Sequence, residues 1–136
     1  MNREELLRYH ESICKDAREL MKLKNADYAG NDGIEPFANF TRVESMGICS
    51  TEQGFMTRLV DKMSRLSSFL DSGKMHVKDE SFYDTVVDVI NYMVLLAAYS
   101  YDKNEDKDSK SSDSMHNKQM KLFHSYIEDH VPSQEC

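Results

Sequence analysis

The sequence predicts an all-α protein, a bundle of three principal helices followed by a flexible linker and a short C-terminal helix. Two observations support this prediction. Apolar residues recur at the three-four spacing of helical faces in three long segments, and most of the glycines lie between those segments. No segment shows the sustained alternation of apolar and polar residues that is typical of a strand.

The first helix is predicted over residues 3 to 24, where apolar side chains follow one helical face. The second helix is predicted over residues 51 to 72. Ser50 and Gln53 form a capping-box signature immediately before it, and Gly73 supplies a stop signal after it. The segment between these two helices contains both glycines and aromatic residues, and we expect it to be a loop.

The third helix is predicted to begin at an N-cap, Asp79, and to end near residue 101. It is apolar on nearly every side, which is typical of a helix surrounded by other helices. Residues 1 to 101 therefore form the predicted helical domain. Residues 102 to 118 are polar and of low complexity, as expected of a linker, and residues 119 to 136 contain the short amphipathic helix.

Composition excludes several classes of partner. The net charge of -7 disfavours contact with duplex nucleic acid. The odd number of cysteines, without a CxxC pair, indicates free thiols in a reducing cytoplasm. The chain opens without a leader sequence, and Asp88 and Asn91 interrupt its most apolar run, so we expect a cytoplasmic protein with no membrane partner. Its short length and apolar third helix predict a homo-oligomer, a dimer or higher.

A stripe of acidic and amide residues lies on the third helix. Spacings of four, four and three place its members on one narrow face: Glu80, Asp84, Asp88 and Asn91. Carboxylates four residues apart repel one another, and burial makes this more unfavourable, so a positive group must lie beside them. One interpretation is Mg²⁺, a hard cation that takes carboxylate oxygens and leaves positions open for substrate phosphates.

A stripe of basic residues on the second helix offers the other interpretation. Arg58, Lys62 and Arg65 are spaced by four and three, so they can pair with the acidic stripe in a purely structural salt-bridge network that leaves no open cleft. Asp61 stands beside these bases. It either joins a site for a metal and a phosphate or is a solvated residue that pairs with Arg65.

Four segments, taken in order, resemble a known family: KNADY, ANF, GFMTRLVDKMSRL and VKDESFYDTVVDVINYMVLL. They are similar to the nucleotide modification associated domain type 1 family, which is common in phages and related to the MazG-like all-α nucleoside triphosphate pyrophosphatases. The resemblance covers residues 3 to 101. It implies a MazG-like bundle that binds a nucleotide, with Mg²⁺-dependent hydrolysis of a nucleoside triphosphate to monophosphate and pyrophosphate. A phage-encoded member would act in the host cytoplasm.

The resemblance also implies metal ligands. MazG-like enzymes hold Mg²⁺ with an ExxE and an ExxD motif, and Asp61 and Asp88 match the last acid of each motif; Glu80 and Asp84 complete the predicted set. Two positions depart from this pattern, because Arg58 replaces the first ExxE acid and Asp84 precedes Asp88 by four residues instead of three. The alternative is a non-catalytic nucleotide binder, either a phage sponge that sequesters a nucleotide immune signal or an accessory to nucleotide modification.

The family's K-x-x-D-Y and N-F motifs occur in the predicted loop, which the resemblance implies folds over the site. Aromatic faces there would stack on a base, and Asp27 or Asn39 would read its edge. The alternative is that Phe37 and Phe40 fill the end of the bundle. The predicted nucleotide-binding residues are Lys24, Asp27, Tyr28, Asn39, Phe40, Arg58, Lys62 and Asn91.

Overall fold

The computed structural model describes residues 1–29, 35–74, 81–108 and 115–130, with side chains except at 25–29, 104–108, 115–119, 127 and 130. These residues form five helices and no strand, which confirms the all-α prediction. The helices are α1 (Arg3–Ala29), α2 (Ala38–Ser45), α3 (Thr51–Ser72), α4 (Phe82–Asp108) and α5 (Met115–His130). The chain divides into two compact units, Met1–Leu96 and Ala97–Cys136.

Both ends of α3 lie where the sequence predicts them. Ser50 Oγ accepts a hydrogen bond from the Gln53 backbone N–H at 3.2 Å, and the Ser50 N–H donates to Gln53 Oε1 at 3.0 Å. At the other end Gly73 adopts a left-handed conformation with φ of 68°, and its N–H donates to the Phe69 carbonyl at 2.7 Å. These bonds stop the helix because they satisfy terminal backbone groups that lack intrahelical partners.

The predicted end of the first helix at residue 24 is wrong, because α1 continues to Ala29. The KNADY segment is therefore helical rather than part of a loop. None of the residues from 25 to 29 is glycine or proline, and adding a residue to an existing helix is far easier than starting a new one. The first glycine after α1, Gly30, lies outside the described residues.

Helix α2 is not predicted by the sequence, which led us to expect a loop up to Ser50. Tertiary packing against α3 accounts for it. The Phe40 ring stacks on Phe55 with centroids 3.7 Å apart, and Phe55 is fully buried. Gly54 allows the close approach, since a Cβ atom there would lie 3.2 Å from Val43 Cγ2. An eight-residue helix is marginal in isolation, so these contacts with α3 stabilise it.

A polar contact also joins α2 to the start of α3. The carboxylate of Glu44 accepts hydrogen bonds from the Thr51 hydroxyl and, at 3.2 Å, from the Thr51 backbone N–H. Thr51 is fully buried, so this contact satisfies a hydroxyl that water cannot reach. We call these residues, together with Phe40 and Phe55, the α2–α3 corner.

Helix α4 starts later and ends later than predicted. Its N-terminal cap is Ser81 instead of Asp79, which lies outside the described residues. The helix continues to Asp108, so part of the predicted linker is helical, and α5 begins at Met115 instead of 119. The YDKNEDKD segment contains no glycine or proline, and the apolar part of α4 has already nucleated the helix that it extends.

Helix α4 packs against α1 along one side. Ile13 and Ala17 of α1 form a buried cluster with Val87 of α4. Beside it the Tyr83 hydroxyl donates to Asp16 Oδ2 at 2.7 Å, and this hydrogen bond raises the pKa of Tyr83 to about 12. The contact anchors the first half of α4 to the middle of α1.

The expectation that α4 is surrounded by other helices does not hold within one chain. Met93 and Val94 are 54% and 51% exposed. The predicted apolar face of α3 is likewise only partly covered, because Phe55 and Leu59 are buried whereas its neighbours Met56, Val60, Met63 and Leu70 are exposed. Sequence periodicity identifies apolar faces but does not show how much of each face a single chain covers.

By length and composition, Phe82–Lys103 of α4 is apolar enough to cross a membrane, with a mean hydropathy of 1.2. Core helices of soluble proteins meet the same criterion. Asp88 lies within this segment and forms ion pairs with Lys24 and Lys62, an arrangement that suits a helix packed against other helices. The absence of a membrane partner stays a prediction.

Candidate functional site

A cavity of about 200 Å³ opens within the first unit, between the C-terminal half of α1, α2, α3 and the middle of α4. Its charged lining residues are Lys24, Glu35, Arg58 and Asp88. The polar and apolar residues used below are Asn39, Asn91, Ala38, Phe40, Tyr92 and Leu95. We refer to this space as the cavity.

Two lysines hold the carboxylate of Asp88. Lys24 Nζ lies 2.6 Å from Asp88 Oδ1, and Lys62 Nζ lies 2.7 Å from Asp88 Oδ2. Burial alone would raise the pKa of Asp88, but the hydrogen bonds and charges of the two ammonium groups outweigh it and lower the pKa. Asp88 is therefore a carboxylate at neutral pH with both oxygens occupied.

Asn91 follows Asp88 by about one turn of α4 and lines the same cavity. It is 7% exposed, and its Nδ2 finds no hydrogen-bond acceptor among the described residues. A buried amide donor without a partner is unfavourable, so it is uncommon in native structures. This donor is available to a ligand.

Arg58 stands at the mouth of the cavity. It is exposed and forms no ion pair with any residue that the structure describes. Asn39, also exposed, lies on the lining with it. The exposed lining thus presents hydrogen-bond donors and the permanent positive charge of Arg58 to solvent, together with the carboxylate of Glu35.

Aromatic rings form part of the cavity wall. Phe40 and Tyr92 meet edge to face, with centroids 6.0 Å apart and an interplanar angle of 90°. Phe40 also stacks on Phe55, so one of its faces is already covered. Phe40 therefore packs in the α2–α3 corner and also lines the cavity, and its contact with a base stays a prediction. Phe37 makes an edge contact with Phe55, with ring centroids 6.5 Å apart.

Asp84 has a different environment from Asp88. Its Oδ2 accepts hydrogen bonds from the Ser81 hydroxyl at 2.7 Å and the Ser81 backbone N–H at 2.8 Å. The Asp84 N–H in turn donates to Ser81 Oγ at 3.0 Å, which completes a reciprocal cap at the start of α4. The hydrogen bonds from Ser81 lower the pKa of Asp84. Asp84 therefore caps α4 and is not among the cavity-lining residues.

Asp61 lies outside the cavity. It is exposed and lines an open groove of about 530 Å³ on α3, together with Cys49, Met56 and Val60. The groove shares no lining residue with the cavity. Asp61 and Asp88 therefore line different spaces.

Three predicted site residues are not described at the level of side chains. Glu80 lies outside the described residues, and Asp27 and Tyr28 belong to the last turn of α1 with side chains that are not described. Six of the other nine line the cavity: Lys24, Asn39, Phe40, Arg58, Asp88 and Asn91. Lys62 does not line the cavity but forms an ion pair with Asp88, which does.

Five lining residues are absent from the predicted set: Glu35, Pro36, Ala38, Tyr92 and Leu95. Two of them, Tyr92 and Leu95, lie on α4. Both follow from helical spacing, because Tyr92 lies four residues after Asp88 and Leu95 lies four residues after Asn91. Extending the polar stripe by one turn would have found them.

The described residues contain no group of three His, Cys, Asp or Glu side chains placed around one point. Glu80, one of the four predicted ligands, lies outside them. A metal at Asp88 would have to displace Lys24 or Lys62, and Asp84 is engaged with Ser81. Mg²⁺ stays a prediction that depends on Glu80.

Comparison of the chain with protein-family models, with curated proteins and with solved structures finds no match in any of the three.

Proposed function

We propose that this protein binds a nucleotide in the cavity and holds it without hydrolysing it. The observation that carries the proposal is the surplus of hydrogen-bond donors at the cavity. Asn91 Nδ2 has no acceptor among the described residues, and Arg58 has no carboxylate partner among them. Donors without acceptors suit a ligand that is rich in acceptors and negatively charged.

The charges around the cavity support an anion more strongly than a cation. Lys24, Lys62 and Arg58 carry three positive charges around the cavity against the two carboxylates of Asp88 and Glu35, and both lysines are paired with Asp88. Arginine binds phosphate oxygens in a bidentate manner, and lysine binds them as a point charge. Phosphate groups at the mouth fit these side chains.

The size of the cavity bears on which part of the ligand enters. Pockets that enclose drug-sized ligands measure roughly 300–1,000 Å³, whereas this cavity measures about 200 Å³. It can enclose one part of a nucleotide while the remainder extends outside. The choice of a nucleotide over other anions comes from the sequence resemblance.

Mg²⁺-dependent hydrolysis of a nucleoside triphosphate is the second candidate. Asp84 lies one turn before Asp88 and is near enough to Lys24 for that charge to contribute to lowering its pKa. Glu80, Asp84 and Asp88 would hold the metal, which would neutralise charge on the phosphates. This function requires Lys24 or Lys62 to leave Asp88, which the first candidate does not.

Replacement of Asp88 by Asn separates the two candidates. If the cavity binds phosphates without metal, Asp88→Asn should retain or tighten nucleotide binding, because it releases Lys24, which lines the cavity, from the carboxylate. If the carboxylate holds Mg²⁺, the same change should abolish metal-dependent binding and turnover. Calorimetric titration with nucleoside triphosphates and cyclic dinucleotides, in Mg²⁺ and in EDTA, measures both.

Arg58→Gln tests the proposal itself. We expect nucleotide affinity to fall about tenfold or more, since a charge-assisted hydrogen bond to the ligand is lost. Arg18→Gln is the matched control, because Arg18 is exposed on α1 and does not line the cavity. The proposal fails if no nucleotide binds the wild type, or if the Arg58 and Arg18 variants bind equally well.

We further propose that the protein is a cytoplasmic homo-oligomer. Its support is the exposed apolar surface of α3 and α4 within one chain, which includes Met56, Val60, Met93 and Val94. Light scattering at micromolar concentration measures the assembly. A mass of 15.8 kDa, that of one chain, would refute the oligomer.

A further inference from the structure

We infer that Asn91 selects the base of the bound nucleotide, donating a hydrogen bond from Nδ2 to an acceptor on the base edge while the phosphates stay at the mouth of the cavity. This inference rests on the proposed function and assigns the two ends of the ligand to two parts of the cavity. It makes Asn91 a specificity-determining residue.

Burial distinguishes the floor of the cavity from its mouth. Asn91 and Phe40 are both 7% exposed, whereas Arg58 and Asn39 are exposed. The guanidinium of Arg58 is therefore at the mouth, and the Asn91 amide, whose Nδ2 has no acceptor among the described residues, is on the floor. A ligand that satisfies both must carry a negative charge at one end and a neutral acceptor at the other.

Apolar and aromatic side chains form the wall near Asn91. Tyr92 and Leu95 lie on the same stretch of α4, and Phe40 and Ala38 face the cavity from α2. A phosphate enclosed by these side chains would lose much of its hydration, whereas a heterocyclic base would gain apolar contact. The wall therefore suits the base.

Asp88 adds a second reason to place the phosphates outside. Its carboxylate precedes Asn91 by about one turn, and its two lysine partners already neutralise it. A phosphate on the floor would compete with this carboxylate for the same lysines. A neutral base avoids that competition and still provides Asn91 with an acceptor.

The direction of the hydrogen bond defines the class of base edge. Carbonyl oxygens and ring nitrogens accept from an amide donor, and every base carries such groups, whereas an exocyclic amine placed at the same point would leave Asn91 Nδ2 unpaired. The inserted edge must therefore present an acceptor to Nδ2. An analogue with an amine at that position should bind weakly.

Asn91→Leu tests this assignment, because it removes the donor and keeps the branched shape and the number of heavy atoms of the side chain. Without ligand, the variant should melt at the same temperature as the wild type or higher, since the donor has no partner to lose among the described residues. Its affinity for nucleotides should fall about tenfold or more, while its affinity for inorganic triphosphate, which has no base, should stay unchanged.

Thr85→Val is the matched control. Thr85 is buried on the same helix, does not line the cavity, and its hydroxyl donates to the Ser81 carbonyl at 3.1 Å. This variant should melt at a lower temperature and bind nucleotides as the wild type does. Asn91→Leu should thus weaken binding without loss of stability, and Thr85→Val should lower stability without loss of binding.

The outcomes distinguish this inference from the proposed function. If Asn91→Leu binds nucleotides as tightly as the wild type while Arg58→Gln does not, the base assignment is wrong and the proposed function stands. If Asn91→Leu weakens inorganic triphosphate and nucleotides equally, Asn91 contacts phosphate and the assignment is again wrong. If the wild type binds no nucleotide, both are overturned.

Discussion

The α2–α3 corner and the cavity adjoin each other and share Phe40, yet they treat buried polar groups in opposite ways. At the corner, the fully buried hydroxyl of Thr51 donates to the carboxylate of Glu44. In the cavity, Asn91 is nearly as buried, but its Nδ2 has no acceptor among the described residues. The corner satisfies its buried hydroxyl within the chain, and the cavity leaves a donor open.

The hydrogen bond of Thr51 stabilises the fold, whereas the unsatisfied Asn91 donor destabilises it. A satisfied buried hydrogen bond contributes about 1 kcal/mol to stability, whereas an unsatisfied buried group costs about 1–3 kcal/mol. Apolar side chains at position 91 would remove that cost. The unsatisfied Asn91 donor lies beside an exposed mouth that carries the charge of Arg58. This combination is the main structural reason to regard the cavity as a binding site.

The largest expected loss of stability comes from a substitution that removes the stacked ring pair of the α2–α3 corner. Phe55→Ala should lower the free energy of unfolding by about 3–5 kcal/mol, because Phe55 is fully buried and stacks on Phe40. Urea denaturation followed by circular dichroism measures it. Val60→Ala on the same helix is the control, since Val60 is 57% exposed and should change stability by about 0.5 kcal/mol or less. Equal effects of the two substitutions would show that the stacked pair is not a core contact.

A smaller effect is expected at the edge of the cavity. Asp88→Asn should lower the free energy of unfolding at pH 7 by about 2 kcal/mol, because Lys62, with a side chain only 13% exposed, loses its carboxylate. Lys24 is 43% exposed and can turn to water, which reduces the loss. Asp61→Asn, an exposed carboxylate on α3, is the control and should change little.

The same ion pairs predict a dependence on pH. The pKa of Asp88 is lower in the folded chain than in the unfolded one, so the unfolded state binds its proton first as the solution is acidified. The stabilisation is present above the ordinary aspartate pKa of about 4 and is lost as the pH falls through the folded value. Wild type should therefore lose more stability than Asp88→Asn below about pH 4. If the melting temperatures of wild type and Asp88→Asn fall equally as the pH is lowered, the ion-paired arrangement is contradicted.

The smallest effect concerns the polar half of the corner. Glu44→Gln keeps one acceptor for Thr51 but removes the charge, so it should cost about 1 kcal/mol. Urea denaturation near neutral pH measures it, with Glu11→Gln on the exposed side of α1 as the control. An unchanged midpoint for Glu44→Gln would mean that charge does not matter at this contact.

Several features of the site follow from helical spacing alone. Spacing on the third helix places Asp88 and Asn91 on one face, and the structure brings both to the cavity. The basic stripe on α3 suggested a salt bridge to Asp88, and Lys62 makes it. Spacing did not reveal that Asp84 caps α4 or that Asp61 lies on a separate groove, because both outcomes depend on where helices start and how they pack.

The sequence by itself determined the all-α class and both ends of α3. Caps such as the Ser50 and Gln53 pair and the left-handed Gly73 involve residues only a few positions apart. Their interactions are local, so they can be predicted from the sequence. Only the tertiary structure decided that α2 forms on the surface of Phe55 and that Lys24 reaches Asp88, 64 residues away in sequence. It also decided that Asn91 Nδ2 has no acceptor among the described residues. Each of these outcomes depends on the distance and angle between helices, which side-chain packing sets and spacing along one helix does not contain.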